Sequence, residues 1–385
     1  MNNFDFYNPT HIVFGKDRLQ ELDKLIPSDA KVLLLFGGGS VKKYGTYDKV
    51  IKALGEREVV DFGGIEPNPQ YDTLMKAVEV VKTQDITFLL AVGGGSVMDG
   101  TKFISLAANF DGTPSDLLVG KAKTSEVKVA TPLGTVCTLP ATGSEMNAGG
   151  VISFEGGKYG MGSPLVYPKF SFLDPTLTYS LPKVQVANGV VDAFVHTLEQ
   201  YSTFPADAKF QDRTAEGILQ SLIEIGKTTL DNPTDYDARA NLVWCATNAL
   251  NGLIGAGVPN DWATHMLGHE LTAMFGIDHA QTLAIVQPAL WTVRKEKKKA
   301  KLLQYSQRVW GITEGSDDEI VDAGIAKTRE FFESLGLKTR MSEYGITEDK
   351  IDDLVKALGN HGMTALSETR DLDLDVSRAI FQEAM

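Results

Sequence analysis

Only two cysteines, Cys137 and Cys245, occur in the 385 residues, far apart and in apolar surroundings. That scarcity excludes a disulfide framework and a thiolate metal site, and it predicts buried thiols in a reducing cytoplasm. Long apolar runs are missing as well: no stretch approaches the roughly twenty residues that a membrane helix needs. The opening segment MNNFDFYNP has no basic part followed by an apolar one, so no secretory leader is expected. Positive charge is in deficit, since 37 Lys and Arg against 50 Asp and Glu leave a formal net charge of -13. An acidic surface repels nucleic acid and anionic membranes, and neither is an expected partner. The densest basic run, Arg294 to Lys299, falls in a helical pattern and reads as a solvated helix face. Repeats and low-complexity linkers are absent too.

What remains is an ordinary globular chain, 43% hydrophobic and long enough for two domains with cores of their own. Its character changes near the middle. Val32–Phe36, Ile86–Val92 and Gly134–Leu139 are short apolar runs, and the first two end in triple glycine. Helical patterns cover Val41–Leu54, Tyr71–Lys82 and Ser96–Ala108. Strand, glycine turn and helix in rotation predict a parallel sheet with crossover helices. Strands that are apolar throughout, rather than alternating, fit a sheet covered on both faces. Beyond Pro182 the strand signals fade into helical patterns, among them Lys183–Tyr201, Gln211–Thr228, Asp237–Leu253 and Trp262–Phe275. The expected fold is a Rossmann-like α/β nucleotide domain over residues 1–180 and an all-helical, metal-binding domain over 181–385.

Two strands end in Gly-Gly-Gly-Ser. A glycine turn between strand and helix lets backbone N–H groups approach a phosphate, and the helix N-terminus favours the negative charge. Gly93 to Asp99 is the better pyrophosphate candidate. Neither turn completes G-x-G-x-x-G, because the third position holds Met98 or Lys42, so this is not a standard dinucleotide fingerprint. The first turn bears on cofactor choice. NAD-selective sites place a carboxylate at the ribose 2′-hydroxyl, which would repel a 2′-phosphate. Here the strand runs into Gly37-Gly38-Gly39-Ser40 with Lys42 and Lys43 beyond: no acid, a hydroxyl, and positive charge. NADP(H) is expected over NAD(H).

Four of the six histidines fall between residues 196 and 279. Asp192 and His196 are four apart in a helical pattern, as are His265 and His269, so each pair shares a helix face. His279 follows a turn. Imidazoles clustered in otherwise apolar segments with one carboxylate suit a divalent transition metal.

With both features in place, the sequence resembles the iron-containing alcohol dehydrogenases, and most closely their bacterial NADPH-dependent butanol dehydrogenase and aldehyde reductase branch. The matching segments are Gly37–Ser40, Pro67–Pro69, Gly93–Asp99, Thr138–Glu145, Gly189–His196, His265–Glu270 and Asp278–Ala280. The resemblance implies that Asp192, His196, His265 and His279 hold one divalent metal ion, zinc or iron. It implies that His269 sits beside the nicotinamide, where it is the candidate for relaying a proton. Gly94, Gly95, Ser96 and Asp99 match the pyrophosphate loop, and Thr138, Thr142, Ser144, Asn147, Lys158 and Leu177 match positions lining the rest of the cofactor. Asn68 and the turn Gly37, Gly38, Gly39, Ser40 match the adenosine end. A homodimer that reduces short-chain aldehydes such as butanal is implied as well.

Rival designs find less support. Zinc dehydrogenases with cysteine ligands need thiols that this chain lacks. The Tyr-x-x-x-Lys pair of short-chain reductases occurs only as Tyr179 and Lys183, with Pro182 interrupting any helix. Dehydroquinate-synthase-like enzymes share the two-domain architecture, but their phosphorylated sugar acid calls for Lys and Arg around the metal. Trp244, Leu253, Ile254, Val258, Trp262, Met266 and Phe275 stand there instead, which favours a small, weakly polar substrate.

Overall fold

The structure, a computed structural model, describes every residue from Met1 to Met385. The chain forms two compact units: Tyr7–Leu181, and Pro182–Met385 together with Met1–Phe6. The first six residues therefore belong with the helical unit. The Met1 amino group donates to the Ala206 carbonyl and the Asn2 N–H to that of Gly257, each at 2.8 Å.

The unit Tyr7–Leu181 contains strands β1 (His11–Phe14), β2 (Val32–Phe36), β3 (Val59–Phe62), β4 (Phe88–Gly93), β5 (Leu133–Cys137), β6 (Gly149–Phe154), β7 (Gly157–Gly162) and β8 (Phe170–Leu173). Six of them make one parallel sheet in the order β1-β8-β5-β4-β2-β3. Its helices are α1 (Leu22–Leu25), α2 (Ser40–Lys43), α3 (Thr46–Leu54), α4 (Tyr71–Thr83) and α5 (Gly95–Ala107). Every residue of β2, β4 and β5 is buried, as continuous apolar strands covered on both faces require. The helix expected over Val41–Leu54 is broken into α2 and α3 at Gly45, whose φ of 78° favours glycine. β6 and β7 pair as an antiparallel hairpin closed by Glu155 and Gly156, both at positive φ, the backbone that a two-residue hairpin turn demands.

Strand order places the glycine turns. β2 pairs with β3 on one side and β4 on the other, while the chain continues from β4 to β5 in the opposite direction. The switch point lies between β2 and β4, where loops leaving the carboxyl ends of the two strands diverge. The register pairs Phe36 with Val92, so Gly37–Ser40 and Gly93–Ser96 leave the sheet side by side.

The other unit is helical: α6 (Lys183–Tyr201), α7 (Lys209–Asp231), α8 (Tyr236–Ala249), α9 (Ala263–Phe275), α10 (His279–Val293), α11 (Lys295–Val309), α12 (Asp317–Ser334), α13 (Ile351–Asn360) and α14 (Leu374–Glu383). α6 is the central helix, buried at every position from Gly189 to Tyr201. None of the helices is long and apolar enough to cross a membrane. The basic run is the solvated face expected of it only in part: Glu296 and Lys297 are exposed, but two members are not. Arg294 and Lys298 are 7% and 3% exposed, the first paired with Asp371 and the second with Asp261 and Glu368. Charge periodicity alone does not distinguish a solvated lysine from one whose partners come from distant segments. Both cysteines are buried and unpaired.

Candidate functional site

In the α/β unit, the candidate cofactor residues gather at the carboxyl ends of β2, β4 and β5. α5 starts at Gly95, directly behind Gly94, and aims the N–H groups of its first turn outward. A Cβ on Gly95 would come within 2.6 Å of Thr142 Oγ1, and one on Gly94 within 3.0 Å of Leu139, so glycine lets the loops after β4 and β5 meet. Thr138 continues the β4–β5 ladder by donating its N–H to Gly93, and the Thr142 hydroxyl accepts the N–H of Ser144. Asn68 adopts φ 55° between its two prolines, a conformation asparagine tolerates. Its N–H reaches Ser96 Oγ at 3.3 Å, and its side-chain oxygen accepts from Lys158 Nζ at 2.9 Å, which brings Asn68, Ser96 and Lys158 together. Leu177 lies in the apolar core with Phe172 and Val136.

Asp99 and Ser144 turn out to be parts of a network centred on a residue that sequence reasoning missed. Lys102, fully buried in α5, donates to Ser144 Oγ, Asn147 Oδ1 and the Gly149 carbonyl, each at 2.8 Å. Ser144 donates in turn to Asp99 Oδ1 at 2.6 Å, and the Val151 N–H donates to Asp99 Oδ2 at 2.9 Å. Burial pushes the Lys102 ammonium down to about 8, against the pull of Asp99 and Glu145. Desolvation likewise raises the Asp99 carboxyl, with Lys102 opposing it. The spacing Asp99-x-x-Lys102 was the available signal, since the two share a helix face.

At the first turn, Gly39 takes φ 97°, while Gly38 does not need its glycine backbone freedom and would meet nothing with an added Cβ. Ser40 is exposed. The positive charge expected from Lys42 is partly engaged: Lys42 donates to Asp61 at 2.9 Å and lies over the rings of Phe36 and Tyr47.

In the helical unit, α6 contributes Asp192 and His196, α9 contributes His265 and His269, and α10 begins at His279. α9 and α10 approach closely because Gly268 stands between the two α9 histidines. A Cβ there would press on Thr282 Oγ1 at 2.7 Å. Donor atoms of Asp192, His265 and His279 lie within 4.8 Å of one another. His196 stands beside them, its Nε2 3.8 Å from Asp192 Oδ1 and its ring stacked on His265 with centroids 4.7 Å apart. The His269 ring is 5.3 Å from that of His279. Asp192 Oδ1 is buried and accepts no hydrogen bond, a costly state for a carboxylate oxygen unless a cation meets it. One carboxylate and several imidazoles around such an oxygen fit a divalent transition metal. Trp262 packs edge-on against His196 and His265 from a left-handed backbone at φ 64°, whereas Trp244 is 45% exposed on α8. Sequence reasoning also missed Glu199, which contacts His265 Nδ1 and lies one turn beyond His196 on α6.

Comparison with known proteins agrees with these features. Residues 9–175 match the family model for iron-containing alcohol dehydrogenase, and residues 186–384 that for the C-terminal part of the Fe-containing alcohol dehydrogenase family. The chain is 60% identical to the NADPH-dependent aldehyde reductase YqhD of Escherichia coli, over all of both chains, and 41% identical to a probable NADH-dependent butanol dehydrogenase of Bacillus subtilis, over 94% of each. The crystal structure of E. coli YqhD superposes with a TM-score of 0.98, covering 100% of this chain and 99% of that one. NADH-dependent butanol dehydrogenase A of Thermotoga maritima, 35% identical, gives 0.94 over the same shares. The buried carboxylate and histidines of the helical unit and the paired glycine turns of the α/β unit are thus those of a chain that belongs to the iron-containing alcohol dehydrogenase family.

Proposed function

We propose that the protein is an NADPH-dependent, divalent-metal-dependent aldehyde reductase that converts short-chain aldehydes such as butanal to primary alcohols. The observation that carries this reading is the convergence of Asp192, His265 and His279, in a chain 60% identical to a protein named as an NADPH-dependent aldehyde reductase. Asp192, His196, His265 and His279 would hold the ion, and either zinc or iron suits them. When bound, the ion supplies Lewis acidity at the carbonyl oxygen and the dinucleotide supplies the hydride.

The chain's own residues supply the rest. The N–H groups of Gly95 and Ser96 at the start of α5 bind the pyrophosphate. Ser40 donates to the 2′-phosphate, and no carboxylate of the Gly37–Ser40 turn opposes it. Asn68, Thr138, Thr142, Asn147 and Lys158 hold the remaining polar edges of the cofactor, with Asp99 and Ser144 bracing the loop from behind. Trp262 gives the helical site an apolar wall suited to a small aldehyde. His269, half-buried beside His279, relays a proton from water to the product oxygen: one ring nitrogen gives up its proton as the other takes one from a water molecule.

Initial rates of NADPH and NADH oxidation with butanal test the proposal, taken before chelation, after it, and after zinc or iron is restored. Chelator-sensitive turnover with a strong NADPH preference is expected. A fully metallated protein that turns over no aldehyde would sink the reading.

A further inference from the structure

Glu199 lies on α6 three residues beyond His196 and seven beyond Asp192, on the helix face that carries both. Its side chain is 1% exposed, and both carboxylate oxygens are in use. Oε1 accepts the backbone N–H of Thr264 at 2.6 Å, and Oε2 meets Nδ1 of His265. The Glu199 carbonyl accepts the Asp261 N–H at 2.9 Å. Three contacts thus tie α6 to the start of α9. Asp261 accepts the Ala263 N–H at 3.1 Å and pairs with Lys298 at 2.8 Å. Lys298 also binds Glu368 at 3.0 Å and the Ser202 carbonyl at 2.8 Å. The side chains of Asp261, Lys298 and Glu368 are 3%, 2% and 6% exposed, so this charge set is buried.

A neutral imidazole carries one N–H, and the hydrogen bond at one ring nitrogen decides which nitrogen keeps the lone pair. A carboxylate only accepts. Opposite Glu199 Oε2, the proton of His265 is drawn to Nδ1, and the lone pair is left on Nε2. We propose that Glu199 is a positioning residue for metal binding: it holds His265 in the Nδ1–H form and turns its Nε2 lone pair toward the cation. The Asp261–Lys298–Glu368 set keeps the first turn of α9 fixed, so that the alignment is not lost to fraying. The inference rests on the metal site proposed above. Contacts of this kind behind a ligating histidine orient the ring and raise its basicity.

Glu199→Gln is the informative change, because glutamine offers one accepting oxygen where glutamate offers two. If that oxygen stays with the Thr264 N–H, the amide NH2 faces His265 Nδ1 and moves the ring proton to Nε2, where it blocks coordination. Zinc affinity, read by competition with a chromophoric chelator on metal-stripped protein, should fall about 10–100-fold in E199Q. Glu270→Gln is the control: Glu270 is a buried carboxylate on α9, the helix that carries His265, but its histidine partner is His361, and E270Q should bind zinc like the wild type. Wild-type affinity in E199Q overturns the inference while leaving the metal site intact. A wild type that takes up neither zinc nor iron overturns the metal reading itself, and this inference with it. A second measurement needs no folded E199Q. In metal-free wild-type protein labelled with 15N-histidine, the His265 signal, identified by its loss in His265→Asn, should be that of an Nδ1–H ring. An Nε2–H ring would refute the assignment.

Discussion

Replacing Lys102 with methionine removes one buried charge and little volume. Three acceptors then lose their donor: Ser144 Oγ, Asn147 Oδ1 and the Gly149 carbonyl, each 2.8 Å from the ammonium. Asp99 also loses the positive charge that opposes its desolvation. Leaving a buried acceptor without its donor costs about 1–3 kcal/mol, and with some rearrangement the three together cost about 3–5 kcal/mol. For a domain of this size, about 2–4 °C of melting temperature is lost per kcal/mol, so K102M should melt about 6–20 °C lower than the wild type. Differential scanning calorimetry reads this directly, with the exposed Lys24→Met as a control that should barely move. The double variant with Asp99→Asn should be less destabilised than the sum of the single changes, by a coupling of about 0.5–3 kcal/mol. A K102M protein melting within about 2 °C of wild type, or strictly additive single and double variants, would refute the charged, buried network described here.

The same group predicts a pH dependence. Burial lowers Lys102 to about 8 from its ordinary 10.5, so between those values the unfolded chain binds more protons than the native one. Stability should therefore rise with pH through that window and be insensitive to this group below it; urea unfolding should show the wild-type advantage over K102M widening as pH rises, and a constant or shrinking gap would contradict the sign. His269→Ala should lower turnover while metal content stays normal, whereas Asp192→Ala should lose metal and activity together; metal analysis beside steady-state kinetics separates the two, and loss of metal in H269A would make His269 a ligand or structural residue. Gly38→Asp fits sterically, since its Cβ meets nothing, and sets a carboxylate in the turn proposed for the 2′-phosphate. NADPH KM should rise about tenfold or more from like-charge repulsion, with NADH KM changing little, and an equal effect on both cofactors would move the phosphate site elsewhere.

The core strands β2, β4 and β5 were legible because burial on both faces writes an unbroken apolar run. β1 and β3 lie at the sheet edges, where only part of each strand needs apolar residues, and no such run forms. The β6–β7 hairpin reads as loop because Gly149, Gly150, Gly157, Gly160 and Gly162 dilute its pattern. At Gly150 the reason is spatial: a Cβ would lie 3.2 Å from the Asp99 backbone of α5. In the site, helical spacing put His265 and His269 on one face, and glycine turns after apolar strands pointed to the sheet's carboxyl edge. Lys102, Glu199 and Lys298 were opaque for a common reason. A charged residue reads as solvated until its partners are known, and those partners lie 45 residues away for Lys102 and Asn147, 66 for Glu199 and His265, and 70 for Lys298 and Glu368.

The attachment of Met1–Phe6 to the helical unit has a consequence for how the protein is made. Chain leaves the ribosome amino end first, so these six residues emerge long before Ala206 and Gly257, the carbonyls that receive them. The α/β unit is continuous in sequence and is free to complete itself during synthesis. The helical unit has to wait, its opening segment tethered to an already folded neighbour until the last helices arrive.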